Sequence, residues 1–360
     1  MKVIFVISAM NGGGAERVLA TLANCYVRRG DQVTILMVAG DESAYPLDER
    51  VTILSIGQPS HGNPLVQLKR LFAMRRYFKQ HREWKIVSFG TEINLFTILA
   101  ALGLKNRVIV SERNDPNRCG YPAIRNFVYS LCKGFVFQTE DARGCFSKKI
   151  QKNSVVIPNP IREELPEPMK GLTKECGFER EKRIAVVGRL ENQKNHSLLL
   201  QAFAGFHKSF PEWELHIFGK GRLEQALRQE ADELGVLKQV VFEGFRSDIL
   251  ETIRPYGMYV LSSDYEGISN SLMEAMAMGI PCVSTDCPIG GSALCIQNGE
   301  NGLLVPVGDA GALQAAMERI AADEQLAERL GKNGVAVRDT FAEEVIADKW
   351  RKYIDGAVSV

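Results

Sequence analysis

Short hydrophobic stretches alternate with helical patterns along the whole chain. The stretches are continuously apolar rather than apolar at every second position, which is typical of strands covered on both faces in a parallel sheet. Strands separated by helices form βαβ units, so the pattern predicts an α/β protein made of doubly wound sheets. The predicted strands are 2–8, 32–38, 51–56, 85–89, 107–111, 134–138 and 154–157, then 183–188, 213–218, 239–243, 257–262, 281–285 and 302–305.

The segment 159–182 interrupts this alternation. It is rich in proline and charged residues and has no strand pattern, as expected of a linker. We therefore predict an N-terminal Rossmann-like domain over 1–162, a linker over 163–182, a second Rossmann-like domain over 183–340, and a C-terminal helix over 341–360 that returns toward the first domain. Two such domains predict a cleft between the carboxyl ends of their sheets, where ligands bind in folds of this kind.

The composition, 45% hydrophobic and 24% charged, is that of a soluble globular protein. Eight cysteines without C-x-x-C spacing indicate buried reduced thiols and a reducing, cytoplasmic location. The apolar part of the N-terminal stretch 1–10 is too short for a signal peptide. The longest apolar run elsewhere, 95–104, is too short to span a membrane. We therefore expect no integral membrane segment, although the chain can still lie on a membrane surface.

Charge is unevenly distributed between the two halves. Residues 1–165 carry 23 Lys+Arg against 14 Asp+Glu, and the remainder carries 21 against 29. The basic half includes a helical pattern over 64–85, in which apolar residues recur with basic residues between them. Such a helix either packs its apolar stripe on the sheet or lies on an anionic lipid surface, and we favour the second. The predicted membrane-facing residues are Lys69, Arg70, Arg75, Arg76 and Lys79.

Two loops at predicted strand ends suit phosphate binding. Gly12–Gly14 follow the first strand and open a helix, so the backbone can approach an anion closely, but Arg17 breaks the dinucleotide fingerprint at its third glycine. Without a ligand the same glycines simply make a tight turn. In the second domain, Arg189 and Lys194 lie between a strand and a helix, where they form either a diphosphate clamp or two solvated cations.

The stretch 264–281, DYEGISNSLMEAMAMGIP, places two acids near the start of a helix. Ser269 or Asn270 is a suitable N-cap for a helix over 271–279, which leaves Glu266 in the loop and Glu274 in the helix. Free amides at the helix start favour phosphate oxygens, and the carboxylates can accept hydrogen bonds from hydroxyl groups on either side. The alternative is a favourable first-turn acid beside an unrelated loop acid.

This stretch resembles the E-x7-E signature of the retaining glycosyltransferases of family 4, which have the GT-B fold. The resemblance extends in register to GGAER at the N-terminus, VIPNPI before the linker, VVGRLENQKN, and NGENGLLVPVGD near the end. It implies two Rossmann-like domains facing each other across a cleft, and a nucleotide-sugar held mainly by the second domain.

The resemblance also implies roles for individual residues. Arg189 and Lys194 would bind the donor diphosphate and neutralise the leaving group, Glu266 would contact the transferred sugar, and Glu274 would contact the ribose. The implied catalytic residues are Arg189, Lys194 and Glu266. The implied donor-binding set adds Gly13, Gly14, Gly267, Ile268, Ser269, Asn270, Ser271 and Glu274.

Two departures from the family pattern concern the sugar contacts. Many members carry a histidine in a loop of the first domain, where this chain has Glu112 and Arg113, so we assign these two and Arg118 to the acceptor or donor sugar. Arg113, Arg118 and Arg125 could also contact an acceptor diphosphate. The acidic residue usual after the glycine pair near 290 is replaced by Ser292-Ala293, which leaves backbone contacts there.

The SERNDP segment and the basic helix make the chain similar to transferases that extend polyprenyl-diphosphate-linked glycans, including N-acetylgalactosamine transferases. The expected reaction is retaining transfer of a hexose or N-acetylhexosamine from a UDP-sugar to such an acceptor, at the inner face of the cytoplasmic membrane, without a metal or other cofactor. The alternatives are a nucleotide-sugar 2-epimerase of the same architecture and a non-catalytic transferase subunit. An NAD-dependent enzyme and a nucleic-acid binder are disfavoured.

Overall fold

The computed structural model describes residues 1–57, 63–169 and 180–356. The chain forms two compact units, one made of Met1–Arg162 with Phe341–Val360 and the other of Glu163–Thr340. Each unit contains one parallel sheet, so the predicted α/β class with two Rossmann-like domains is confirmed. The predicted linker over 163–182 falls partly outside the described residues, and its described start, 163–169, is grouped with the second unit.

The sheet of the first unit has the strand order β3-β2-β1-β4-β5-β6-β7, with parallel pairing between neighbours. Five consecutive residues of β1 are buried, which explains its uninterrupted hydrophobicity. The strands are β1 (Lys2–Ile7), β2 (Gln32–Met37), β3 (Thr52–Ser55), β4 (Lys85–Phe89), β5 (Val108–Ser111), β6 (Phe135–Phe137) and β7 (Ser154–Val156). The helices between them are α1 (Gly14–Arg28), α2 (Pro64–Gln80), α3 (Thr91–Ala101), α4 (Pro122–Tyr129), α5 (Glu140–Gly144) and α6 (Lys148–Lys152).

The sheet of the second unit has the order β10-β9-β8-β11-β12-β13 and is also parallel. Its strands are β8 (Glu181–Val187), β9 (Glu214–Phe218), β10 (Val240–Gly244), β11 (Tyr256–Leu261), β12 (Cys282–Thr285) and β13 (Leu303–Val305). Its helices are α7 (His196–Ser209), α8 (Glu224–Glu233), α9 (Ile249–Ile253), α10 (Asn270–Ala277), α11 (Gly291–Cys295), α12 (Ala310–Ala322), α13 (Glu324–Gly334) and α14 (Val337–Thr340). Leu199, Phe203 and Phe206 of α7 pack with the strands in its core.

The last helix, α15 (Glu343–Ile354), belongs to the first unit and packs against α1. Trp350 is fully buried, with its ring 5.6 Å from that of Phe89. Tyr353 donates a hydrogen bond to the Asn153 carbonyl at 2.7 Å, and Arg351 forms a 2.6 Å ion pair with Asp31. These contacts hold the end of the chain on the sheet where the chain begins.

Candidate functional site

Three loops meet at the carboxyl edge of the second sheet, because they follow the adjacent strands β8, β11 and β12. The strand order reverses between β8 and β11, since β9 and β10 lie on one side and β12 and β13 on the other. Doubly wound sheets bind ligands at such a reversal. The residues predicted from the VVGRLENQKN and E-x7-E motifs lie on the loops after β8 and β11 and in the first turns of the helix that follows β11.

The loop after β8 is fixed by Asn195. This residue adopts a left-handed conformation with φ of 42°, which asparagine tolerates better than most residues. Its side chain caps α7 by accepting from the Leu198 amide at 3.1 Å and donates to Asp264 at 2.7 Å. Sequence reasoning missed this role, although an asparagine just before a helix is a recognisable capping signal. Asn195 thereby joins the loop that carries Lys194 to the loop that carries Glu266.

Lys194 and Glu266 form an ion pair with each other across these two loops. Their side chains are only 14% and 10% exposed, and Glu266 also accepts from Ser263 at 3.0 Å. Around the pair, the Gln193 side chain donates to the Tyr265 carbonyl and the Ser262 hydroxyl donates to the Lys194 carbonyl. The pair is therefore held in a largely buried polar setting, where a charge interaction is stronger than in water.

Helix α10 starts beside this pair and separates the two acids, as predicted. Ser269 is its N-cap and accepts from the Leu272 amide at 3.4 Å, so Glu266 lies before the helix and Glu274 within it. Glu274 is buried, and Ser271 links the helix start to β8 by donating to the Val187 carbonyl at 3.2 Å. The helix start, which favours anions, thus lies between an acid in the loop and an acid in the helix.

The loop after β12 approaches the loop after β11 backbone to backbone at Gly291. A Cβ atom added to Gly291 would lie 1.5 Å from the carbonyl oxygen of Gly267, so only glycine fits. The preceding residues, Ile289 and Gly290, both have positive φ, of 65° and 68°. A positive φ is strained for a β-branched residue, and such strain is concentrated at functional sites. The loop is therefore built to bring its backbone close to the segment 266–268.

Arg189 completes the set at this edge. Its side chain is exposed and forms no ion pair with another described residue, unlike that of Lys194. An exposed guanidinium, a second cation and a helix start suit a diphosphate, while the two carboxylates suit hydroxyl groups. Together these groups have the chemistry to hold a sugar nucleotide.

The remaining predicted residues lie in the first unit. Gly13 is the N-cap of α1, and the amides of Gly12 and Gly13 donate to Glu16 at 2.6 and 2.9 Å. These amides therefore have an internal partner, and Glu16 would have to release them to a ligand. The donor contact of Gly13 and Gly14 stays a prediction.

Glu112 follows β5 and is buried in a polar network. Its carboxylate accepts from the Tyr129 hydroxyl and from Thr91, the latter at 2.9 Å, and Asn94 donates to Tyr129 at 3.0 Å. Burial raises the pKa of the Glu112 carboxyl above its ordinary value, against the opposing effect of these hydrogen bonds. With internal partners on both oxygens, Glu112 would need a rearrangement to contact a sugar.

Arg113 and Arg118 differ in their surroundings. Arg113 donates to Asn159 at 2.6 Å and lies over the ring of Phe89. Arg118 has an exposed side chain with its Nε 3.9 Å from Asp115. Their roles at an acceptor or donor sugar stay predictions.

The basic helix pattern corresponds to α2, and two of its five predicted membrane residues need correction. Arg70 is 5% exposed because it lies on the inward face with Met74 and Phe78. Arg75 donates to the carbonyls of Ala100 and Leu102, so it closes the end of α3. Three basic residues of the prediction remain exposed: Lys69, Arg76 and Lys79.

The outward face of α2 also carries an apolar ridge, whereas the sequence pattern left open whether the apolar stripe faces the sheet or a lipid surface. Leu65, Leu68 and Phe72 are 70%, 49% and 61% exposed. On α4 and just after it, Ile124, Phe127 and Leu131 are exposed at helical spacing. These three side chains form a second apolar ridge, which sequence reasoning missed. No described helix is both long and apolar enough to cross a bilayer.

Solved structures and curated proteins resemble this chain over nearly its full length. The structure of HepE from Anabaena in complex with UDP and glucose superposes with a TM-score of 0.84 at 19% identity, covering 99% of both chains. A Campylobacter jejuni transferase, named as an alpha-1,4-N-acetyl-D-galactosaminyltransferase acting on a GalNAc-GalNAc-diNAcBac-PP-undecaprenol, is 26% identical over 98% of both chains. An amylovoran biosynthesis glycosyltransferase of Erwinia amylovora is 24% identical over 98% of this chain and 99% of its own.

Two family models divide the chain between them. Residues 12–165 match the model described as Glycosyltransferase Family 4, and residues 173–337 match the model described as Glycosyl transferases group 1. The first match covers the strands β2 to β7 and the second covers the strands β8 to β13, together with the loops that carry Lys194 and Glu266 and the helix that carries Glu274. Because the two models together account for most of its residues, the chain belongs to the family 4 glycosyltransferases, with the GT-B fold.

Proposed function

We propose that this glycosyltransferase moves a hexose or N-acetylhexosamine from a UDP-sugar to a polyprenyl-diphosphate-linked glycan, with retention of configuration. The observation that carries the proposal is the meeting of Lys194, Glu266 and the start of α10 at the strand-order reversal, with Arg189 exposed beside them. The names of the similar Campylobacter and Anabaena proteins support the lipid-linked acceptor and the uridine nucleotide respectively.

The site chemistry fits a departing nucleoside diphosphate. In the proposed reaction the bond between the sugar C1 and the diphosphate oxygen breaks, and the acceptor hydroxyl oxygen bonds to C1 on the same face while its proton passes to the leaving diphosphate. Charge develops on that diphosphate, where Arg189, Lys194 and the α10 amides stabilise it without a metal ion. Glu266 accepts from a sugar hydroxyl and Glu274 from the ribose.

Nucleotide-dependent stabilisation tests this assignment. A nucleotide at a hundredfold excess over its Kd stabilises by about 2.7 kcal/mol, which raises Tm by roughly 5–11 °C for a unit of this size. Glu274→Ala should lose most of the shift with UDP, whereas Glu233→Ala, at the exposed end of α8, should keep it. A full shift in Glu274→Ala would contradict the ribose contact. No turnover of any sugar nucleotide by the wild type would refute the transferase function.

We further propose that the outer faces of α2 and α4 attach the enzyme to the inner surface of the cytoplasmic membrane. Both of these helices contact α3. Eight of the fourteen large apolar side chains exposed in the described chain lie on these three helices or just after the ends of α3 and α4: Leu65, Leu68, Phe72, Leu99, Leu102, Ile124, Phe127 and Leu131. Neither α2 nor α4 contains an acidic residue, and Lys69, Arg76 and Lys79 are exposed, which complements anionic lipid.

Vesicle binding tests this surface. Phe72→Glu and Phe127→Glu should each weaken binding to vesicles containing phosphatidylglycerol about tenfold or more, since each removes an exposed aromatic ring worth about 1.5–3 kcal/mol on burial. The matched control is Phe245→Glu, which replaces a phenylalanine of the second unit that is 73% exposed. If the ridges mediate self-association instead, the two variants will change the oligomeric state and leave vesicle binding unchanged.

A further inference from the structure

A second polar cluster lies at the carboxyl edge of the first sheet, where β5, β6 and β7 are neighbours. Arg113 follows β5, Gln138 follows β6 directly, and Asn159 follows β7. The Asn159 side-chain oxygen accepts from Arg113 at 2.6 Å and from Gln138 at 2.7 Å. Gln138 and Asn159 are 3% and 2% exposed, so the cluster is built into the sheet edge rather than laid on its surface.

The cluster contains one cationic group, the Arg113 guanidinium, and no anionic group among its three side chains. A guanidinium has five N–H donors, and Arg113 uses two of them, one on Asn159 and a long one of 3.4 Å on Ser111. Its Nε is buried and has no partner among the described residues, and neither has the Gln138 Oε1 atom. No described carboxylate forms an ion pair with Arg113, and burial lowers the pKa of its guanidinium. A charge that is withdrawn from water in this way, even in part, is costly unless an anion compensates it.

The neighbouring Glu112 does not supply that anion. Its two carboxylate oxygens accept from Tyr129 and Thr91, on the side of α3 and α4. Arg113 remains partly exposed while its ring partner Phe89 covers one face of the guanidinium. The free edge of a planar guanidinium matches a phosphate in a two-point hydrogen-bonded geometry. The cluster therefore has the donors, the charge and the access that a phosphate group requires.

We propose that Arg113, Gln138 and Asn159 form the binding site for a phosphate group of the acceptor, an inference that rests on the transferase function proposed above. The donor phosphates have their own cations, Arg189 and Lys194, in the second unit. From Arg113 the chain runs through the turn Pro116–Arg118 into α4, and Arg125 of α4 donates to the Pro116 carbonyl at 2.5 Å. The phosphate site is thus tied to the helix whose apolar ridge is proposed to face the lipid.

A titration with inorganic pyrophosphate tests the site in the full-length chain. Saturating UDP is present throughout, so that the donor site is occupied. The wild type should bind pyrophosphate, Arg113→Met should bind it about tenfold or more weakly, and Arg113→Lys should fall between them, since lysine keeps the charge without the planar fork. Arg50→Met is the control, because Arg50 is exposed and paired with Asp48. Failure of the wild type to bind, or unchanged binding by Arg113→Met, overturns the proposal.

Three further readouts separate the sources of the effect. If Arg113 served only the fold, Arg113→Met would lower Tm without ligand, whereas removal of an uncompensated charge should leave Tm unchanged or raise it. If Arg113 served the donor, UDP affinity would fall as much as pyrophosphate affinity, which would also overturn the proposal. Farnesyl diphosphate should bind in an Arg113-dependent manner and farnesol should not, which ties the site to a lipid-borne phosphate.

The proposal and the transferase function can fail separately. With a lipid-linked acceptor, Arg113→Met should raise the acceptor KM about tenfold and leave the KM for the UDP-sugar unchanged. Normal turnover with an unchanged acceptor KM would refute the phosphate site and leave the transferase standing. Arg113-dependent pyrophosphate binding without any UDP binding or sugar transfer would refute the proposed function and leave an anion site.

Discussion

Gly291 offers the sharpest test of how the second unit builds its site. Replacing it with alanine adds one carbon atom, which would lie 1.5 Å from the Gly267 carbonyl oxygen. An ordinary contact begins at 3.4 Å, so the two loops must separate by about 2 Å, the difference between these distances. The segment that moves directly follows Glu266. Since a misplacement of about 1 Å can cost roughly a hundredfold in rate, Gly291→Ala should lower kcat/KM at least that much.

The same substitution should lower stability moderately. Overpacking in a well-packed region costs about 1–3 kcal/mol, which lowers Tm by roughly 2–12 °C for a unit of this size. Gly311→Ala is the matched control, because Gly311 also lies at a helix start in the second unit and its added Cβ would meet nothing closer than 3.5 Å. Sugar-transfer kinetics and thermal unfolding of both variants measure the effect. Normal kinetics in Gly291→Ala would show that the close approach of the loops does not position Glu266.

The remaining predictions concern charges that the fold buries. Lys194→Met and Glu266→Gln should each lower the free energy of unfolding by about 2 kcal/mol. The loss in the double variant should be smaller than the sum of the two single losses, by roughly 1–3 kcal/mol. If chemical denaturation shows that the two losses simply add, the pair is not coupled. Because burial raises the pKa of Glu112, the folded state binds more protons than the unfolded state above the ordinary carboxyl pKa, so stability falls as pH rises through that window. Glu112→Gln should remove this pH dependence and raise the free energy of unfolding by about 1 kcal/mol or more at neutral pH. The control Glu92→Gln, at an exposed position, should change neither quantity. If the unfolding free energies of Glu112→Gln and the wild type run parallel with pH, this role of Glu112 is refuted. Arg75→Ala removes the hydrogen bonds to the Ala100 and Leu102 carbonyls and should lower the free energy of unfolding by about 1 kcal/mol. The control Arg76→Ala changes the adjacent arginine and should leave stability unchanged. Equal Tm values for the two variants would contradict the role of Arg75 at the end of α3.

The order of the elements and the location of the donor motifs follow from local sequence. Parallel strands buried on both faces must be continuously apolar, so β1 and β11 were recognisable without their partners. Ser269 marks the start of α10 because its hydroxyl satisfies a free amide of the helix, which puts Glu266 and Glu274 on different sides of that start. These features depend on neighbours within a few residues along the chain.

The contacts between distant segments depended on the tertiary structure. No periodicity distinguishes Arg70, which is buried, from Arg76, which is exposed, because both are basic residues of one helix and only the sheet behind α2 selects its inward face. The apolar residues of the same helix divide in the same way, since Leu65 and Phe72 are exposed whereas Met74 and Phe78 are buried. Likewise, Arg113 and Asn159 meet because β5 and β7 flank β6, and their separation of 46 positions gave no sign of this. A sequence determines which residues can make an element, whereas the packing of elements decides which side chains are left facing a ligand, a membrane or each other.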